Sequence, residues 1–230
     1  MKSDPEIVFD HEDFMVVHKR AGDNFHSDDG ELGFFHKLKQ QHGEIYPVHR
    51  LDKVTSGLLI VAKNIESCRE INELFKSKKI EKYYLAISDR KPKKKQGWII
   101  GDMERSRRAT WKLCESRKNP AVTQFFSKSI GTGQRIFLLK PQTGKTHQLR
   151  VAMKAIGSPI SGDPLYCPKS QEVEERCYLH AYAMNFNFRG EDIHIIKKPS
   201  LVGRFSSKVF LEVLEESYLK PWELVWPKRK

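Results

Sequence analysis

Val48-His49-Arg50-Leu51-Asp52-Lys53-Val54-Thr55-Ser56-Gly57-Leu58-Leu59-Ile60-Val61-Ala62-Lys63 changes character half-way along, from polar and charged to apolar. Gly57 to Lys63 reads as a buried strand, because its apolar run is strand-length and bounded by Gly and Lys. Tyr46 to Arg50 reads as a second strand, with a polar turn between the two. A carboxylate on a turn held between strands can be aimed at a ligand. Asp52 stands at that point, with Arg50 and Lys53 close in sequence. A free Asp has a pKa of about 3.9 and is anionic at neutral pH. It can act as nucleophile, base or electrostatic stabiliser. It can equally cap a turn by accepting from backbone amides. The segment alone leaves both roles open.

Outward from this stretch, Ile7 to Phe9 and Phe14 to His18 flank a polar tetrad and read as a β-hairpin. Leu32 to Gln41 reads as a short helix ending before Gly43. Ile65 to Lys78 reads as a helix with Ile65, Cys68, Ile71, Leu74 and Phe75 on one stripe. Lys82 to Ser88 alternates like a strand. Arg90 to Gly97 is a turn signal loaded with lysines. Strands are expected at about 109 to 114, 121 to 129 and 135 to 140, then a helix at about 147 to 156. Its apolar stripe is Leu149, Ala152, Met153 and Ile156. Leu179 to Phe188 reads as a strand, Val209 to Leu219 as a closing helix, and Lys228 to Lys230 as a mobile tail. Strands that do not alternate regularly with crossover helices indicate α+β, with a mixed, mostly antiparallel sheet flanked by helices.

The composition narrows the classes of function. The chain of 230 residues is 39% hydrophobic, enough for a sizeable core. No stretch approaches the about 20 apolar residues of a membrane span. No apolar segment follows the first residues, so a cytoplasmic location is expected. The four cysteines form no C-x-x-C pair, and no metal site or disulfide is expected. Lys and Arg number 41 against 29 Asp and Glu, a formal charge of +12. Such an excess suits a polyanionic partner, although some proteins are simply basic.

Gln142 to Arg150 is the second informative segment. Thr146 is suited to cap the following helix. His147, Arg150 and Lys154 are three and four apart and share a face away from the apolar stripe. Together with the helix amides they would make an anion-friendly surface, or merely a solvated basic face. Gly144-Lys145-Thr146 is not a phosphate-binding P-loop, since Leu139 stands where that motif needs Gly.

Three segments of this chain resemble the RluA family of pseudouridine synthases. They are His49-Arg50-Leu51-Asp52 with Thr55 to Leu59, Lys82-Tyr83-Tyr84-Leu85-Ala86, and Thr143 to Arg150 continuing through Ile156 to Asp163 and Tyr166. Leu179-His180-Ala181 resembles a last core motif. The resemblance spans about residues 7 to 190. It implies a pseudouridine synthase fold over a single catalytic domain, residues 1–230, starting directly at the first strand without an extra N-terminal RNA-binding module.

The resemblance also implies roles. Asp52 matches the catalytic aspartate. Tyr84 matches the tyrosine that packs against the target base. Arg150 matches the basic residue that pairs with the aspartate. Arg50, with His49 beside it, falls where RNA contacts near a flipped nucleotide are expected. Leu179 matches an aliphatic residue of the base pocket. Lys145, Thr146, His147 and Gln148 join as candidate RNA contacts. Arg107 and Arg108, with Arg105 and the lysines at 91 and 93–95, are candidate phosphate contacts. The expected partner is ribosomal or transfer RNA, the expected enzyme a monomer that uses no cofactor. Departures from the family pattern are Lys145 for Arg, Ala152 for His, Arg20 for Pro and Ser88 for Gly. None touches Asp52, Tyr84 or Arg150.

Two other classes remain for comparison. One is an RNA-binding module without catalysis, against which intact Asp52, Tyr84 and Arg150 argue. The other is a glycoside or nucleoside hydrolase, which normally needs two carboxylates. Asp163 is the obvious second one, but Gly162-Asp163-Pro164 reads better as a turn.

Overall fold

The computed structural model describes residues 5–27, 32–107, 109–131, 133–167 and 174–229. In chain order the elements are β1 (Glu6–Asp10), β2 (Phe14–Lys19), α1 (Phe34–His42), β3 (Tyr46–Pro47), β4 (Ser56–Ala62), α2 (Ile65–Lys76), β5 (Glu81–Ser88), β6 (Gln96–Arg105), β7 (Trp111–Cys114), β8 (Ala121–Ser129) and β9 (Arg135–Pro141). Then follow α3 (Gln148–Ala155), β10 (Leu179–Phe188), β11 (Glu191–Ile196), a 3-10 turn at Gly203–Ser206, and α4 (Lys208–Tyr218). The architecture is α+β with a mixed, mostly antiparallel sheet, as expected. The chain divides into two compact units: Met1–Ile80 with His180–Pro199, and Glu81–Leu179 with Ser200–Lys230.

In the first unit β4 is the central strand, and all seven of its residues are buried. β2 runs antiparallel along one edge, from Phe14↔Ala62 to Lys19↔Gly57. β10 joins in parallel at His180↔Ser56 and Ala181↔Gly57. That approach is close: a Cβ on Gly57 would lie 2.2 Å from the Ala181 carbonyl oxygen, and its φ of +118° suits only glycine. Phe14, Val16, Leu58, Ile60, Ile71, Met184 and Phe186 form one apolar cluster, with Cys68, Leu74 and Phe75 of α2 packed against it. Each such large side chain contributes about 1.5–3 kcal/mol on burial. Ile65 is 49% exposed, so the expected stripe on α2 starts one turn later. Asn64 caps α2 instead, accepting from the Ser67 N–H.

The expected strand from Tyr46 to Arg50 shortens to Tyr46–Pro47. Beyond Pro47, the His49 Nε2 accepts the Ile60 N–H at 2.9 Å, so a side chain replaces a ladder partner. β11 was not expected from its polar start. It is built by a two-residue turn in which Arg189 and Gly190 both have positive φ, the geometry that matches strand twist.

In the second unit β5, β9, β8, β6 and β7 lie side by side in that order, each pair antiparallel. β6 is the strand that sequence reading missed, because Gly97, Gly101, Asp102 and Glu104 depress its strand propensity. Gly101 has a local reason: a Cβ there would meet the Cys114 carbonyl at 2.2 Å. At that point β6 changes partner, from β8 up to Gly101↔Ala121 to β7 from Asp102↔Cys114. Side chains alternate across the sheet. Tyr84, Leu139, Phe125 and Thr123 therefore share one face by register, and Tyr83, Leu138 and Phe126 the other. α3 packs on the Tyr84 face, since Gln148 donates to the Thr123 hydroxyl. The Tyr83 face is covered by the Trp226 ring, which lies 5.8 Å from Tyr83 and 4.8 Å from Phe126.

Candidate active site

The loop carrying Asp52 is fastened at several points within the first unit. Asp52 itself is half-buried and opens a tight turn, its carbonyl accepting the Thr55 N–H at 3.0 Å. Beneath that turn the Lys19 ammonium, on a fully buried residue, donates to the carbonyls of Arg20, Lys53 and Thr55 at 2.9, 3.2 and 2.9 Å. The Lys53 carbonyl also accepts the Gly22 N–H. On the strand side the Ser56 hydroxyl lies 2.8 Å from the His180 Nδ1, and the His180 Nε2 lies 2.8 Å from the Lys197 carbonyl. A carbonyl only accepts, so the His180 proton sits on Nε2 and Ser56 donates to Nδ1. These bonds hold the backbone of the turn at residues 52, 53, 55 and 56. Arg50 is exposed on the same loop.

Further along this unit, His18 of β2 is buried beside Glu6, 3.3 Å from its carboxylate. Burial pulls the imidazole below its usual range, and the Lys197 charge adds to the effect. His11, Glu12 and Asp13 lie close enough to suggest a cation site. Their best donors are engaged, however. His11 Nδ1 accepts the Asp13 N–H, and the Asp13 carboxylate accepts from Asn64 and Arg189.

The second unit holds the other expected residues. Tyr84 is 9% exposed on β5, opposite Leu139. Leu179 opens β10 and is buried. Lys82 is pushed below the usual lysine range by burial. α3 starts at Gln148, and its cap is His147 in a left-handed conformation with φ 56°, not Thr146. The reason is the preceding loop. Gln148 is buried, and its amide donates to Val122 and Thr123 while accepting from Thr143 and the Lys145 N–H. Gln148 thus ties the loop to β8 rather than presenting itself for RNA, a correction to the sequence reading. Lys145 donates to the Asn119 carbonyl, and Thr146 is exposed.

His147, Arg150 and Lys154 do share a face, but Arg150 is not solvated. It is 3% exposed, and its Nε and Nη2 donate to Asp163 at 2.7 and 2.9 Å. All three basic residues surround one ring, that of Tyr166. Arg150 and Lys154 stand over it at 5.1 and 5.7 Å, and His147 bonds its hydroxyl at 2.9 Å. The same hydroxyl accepts the Trp111 N–H, which ties the hairpin of β6 and β7 to the start of α3. Arg105 and Arg107 are exposed on that hairpin, and Lys91 and residues 93–95 are exposed before it. Arg108 lies outside the described residues. The contributions missed from sequence are those of Lys19, Asp163 and Tyr166. A Gly-Asp-Pro turn close behind a basic helix was the one available signal.

In the first unit a loop held by bonds to its carbonyls bears the Asp52 carboxylate, and in the second unit helix α3 bears the buried Arg150. Residues 13–155 match the family model described as RNA pseudouridylate synthase. A protein of Haemophilus influenzae described as an uncharacterized RNA pseudouridine synthase is 46% identical over 94% of this chain and 97% of its own length. The dual-specificity RNA pseudouridine synthase RluA of Vibrio parahaemolyticus is 33% identical over 79% of this chain and 77% of its own. Among solved structures, human RNA pseudouridylate synthase domain containing 1 superposes with a TM-score of 0.73 at 27% identity, covering 86% of this chain and 85% of that one. The chain belongs to the RNA pseudouridine synthase family. It is an isomerase that converts uridine in RNA to pseudouridine. Among the described residues no helix is long and apolar enough to cross a membrane.

Proposed function

We propose that this enzyme modifies specific uridines of ribosomal or transfer RNA, with Asp52 as the catalytic carboxylate, and that both units work as one catalytic domain. The observation that carries the assignment is the fastening of the Asp52 turn. A buried ammonium spends its donors on loop carbonyls there, which suits a carboxylate that must hold one direction. The reaction breaks the N1–C1′ bond and forms a C5–C1′ bond; C5 gives up its hydrogen to water as a proton, and N1 takes up a proton in exchange. No electrons are gained or lost, so one placed carboxylate and proton transfers suffice. Within a structured RNA the uracil must leave its stack, at a cost of a few kcal/mol. Tyr84 is assigned to pack against the extruded base, with Leu179 lining its pocket. Arg150 supplies the positive charge that acts with Asp52. Arg50, Lys145, Thr146, His147 and the exposed arginines and lysines of the second unit are assigned to RNA, as is His49 through the loop it supports. The reading places the enzyme in the cytoplasm as a monomer.

The test uses transcripts of ribosomal and transfer RNA carrying tritium at uracil C5, and counts tritium released to water. Wild-type enzyme releases it, and Asp52→Asn lowers release by at least about 10⁴-fold while still binding RNA. Release that survives in the variant would remove Asp52 from the mechanism. Release from neither RNA class would remove the proposed substrates.

A further inference from the structure

Asp163 is fully buried, and its two oxygens take one edge of the guanidinium: Arg150 Nε donates to Oδ2 at 2.7 Å and Nη2 to Oδ1 at 2.9 Å. Oδ1 also accepts the N–H groups of Leu165 and Tyr166 at 2.9 and 3.0 Å. The carboxylate is therefore immobilised by its own turn before it holds anything else. The Tyr166 ring, carried by that turn, lies 5.1 Å from the guanidinium carbon. Arg150 is thus located along one edge by a carboxylate and against an aromatic ring as well. Only the planar fork of arginine meets a carboxylate in this bidentate way.

Stability gives little reason to keep such a pair. A buried ion pair roughly breaks even against apolar residues of the same volume, because desolvation cancels most of the attraction. Arg150 sits among Leu149, Val151, Ala152 and Met153, all buried, where an apolar pair in place of both Arg150 and Asp163 would serve the fold as well. A charge retained there, and oriented by two separate contacts, is retained for use.

We infer that Asp163 is a positioning residue for the isomerisation: it fixes the plane and direction of Arg150, and acts through that guanidinium rather than on the RNA. The inference rests on the assignment of Arg150 proposed above. The same turn does a second service, since the Tyr166 hydroxyl holds Trp111 and hence the hairpin that carries Arg105 and Arg107.

Steady-state tritium release by Asp163→Asn, Asp163→Glu, Arg150→Met and the double variants tests this. Asn keeps the shape of Asp163 and one acceptor for the turn amides, but loses the charge and the second acceptor. Glu keeps the charge and shifts the carboxylate by one methylene. Loss of an orienting partner typically costs about 10–100-fold. Asp163→Asn is expected to lower kcat by that factor, with KM for RNA changed less than about threefold. In the Arg150→Met background the same substitution is expected to cost less than about twofold, because the group it acts through is gone. A folded Asp163→Asn with full kcat overturns the inference, and so does an equal loss in both backgrounds. If Asp163→Asn does not fold, Asp163→Glu carries the same comparison. If neither folds, the carboxylate serves folding and the inference is overturned. Full activity in Arg150→Met would instead remove the assignment of Arg150, and no release by wild type would remove the proposed RNA targets.

Discussion

Lys19 is a fully buried lysine whose ammonium donates to three backbone carbonyls, two of them within the Asp52–Thr55 turn. A methionine would fill the same volume and remove all three of these bonds, leaving the Lys53 carbonyl with the Gly22 N–H alone. Hydrogen bonds from charged donors are worth about 1.5–3 kcal/mol each, and stranded carbonyls add a desolvation cost. Lys19→Met is expected to lower unfolding free energy by about 3 kcal/mol in urea titration, and to lower kcat more than it raises KM. Unchanged stability would mean that the loop holds itself. The turn that carries Asp52 was legible in the sequence, because strand-like segments flank it. Lys19 was not, because its partners are backbone carbonyls brought over from residues 34 and 36 positions away. Gln148 was misread for the same reason. Polar residues look available in a sequence until the fold occupies them.

Most elements were readable because their apolar periodicity survives in the fold; β10 falls on its expected bounds, Leu179–Phe188. β6 was lost because a strand that changes partner needs a glycine at the switch, and glycine argues against a strand. The segment between α4 and the expected tail at Lys228 carried no structural signal in the sequence, yet it is a working element. The Pro227 carbonyl accepts from the Trp98 and Gln124 side chains, and the Lys140 ammonium lies 5.3 and 5.5 Å from the Tyr83 and Trp226 rings. The strap covers the face of the sheet opposite to Tyr84. Trp226→Ala is therefore expected to cost about 2–3 kcal/mol of stability while leaving kcat within about twofold of wild type below its melting temperature. Calorimetry and tritium release check the two halves separately. A large fall in kcat in the folded variant would mean that the two faces of this sheet are coupled.

Across the whole chain the dominant quantity is the charge of +12. Much of the acidic complement is already committed to internal pairs, such as Asp13 and Glu70 with Arg189, Glu6 with Lys197, and Asp163 with Arg150. Exposed Arg105, Arg107, Lys91 and residues 93–95 are then left to meet phosphates, in the second unit. Each neutralised phosphate of a single strand contributes about 0.7 to the slope of log affinity against log salt. For about six contacts, RNA affinity is expected to fall by a few hundredfold between about 50 and 200 mM salt. Replacing Arg105 and Arg107 together by Ala is expected to reduce that slope by about 1.4, because each removes one phosphate contact. The effect on kcat at saturating RNA should be small, since neither residue bonds the Arg150 cluster through its side chain. A slope that does not change would move the phosphate path to the lysine loop at 91–95, and the Lys93→Ala and Lys94→Ala pair would then carry the loss. A changed kcat with an unchanged slope would mean instead that the hairpin acts through Trp111 and Tyr166, as a part of the catalytic apparatus rather than as a handle for RNA.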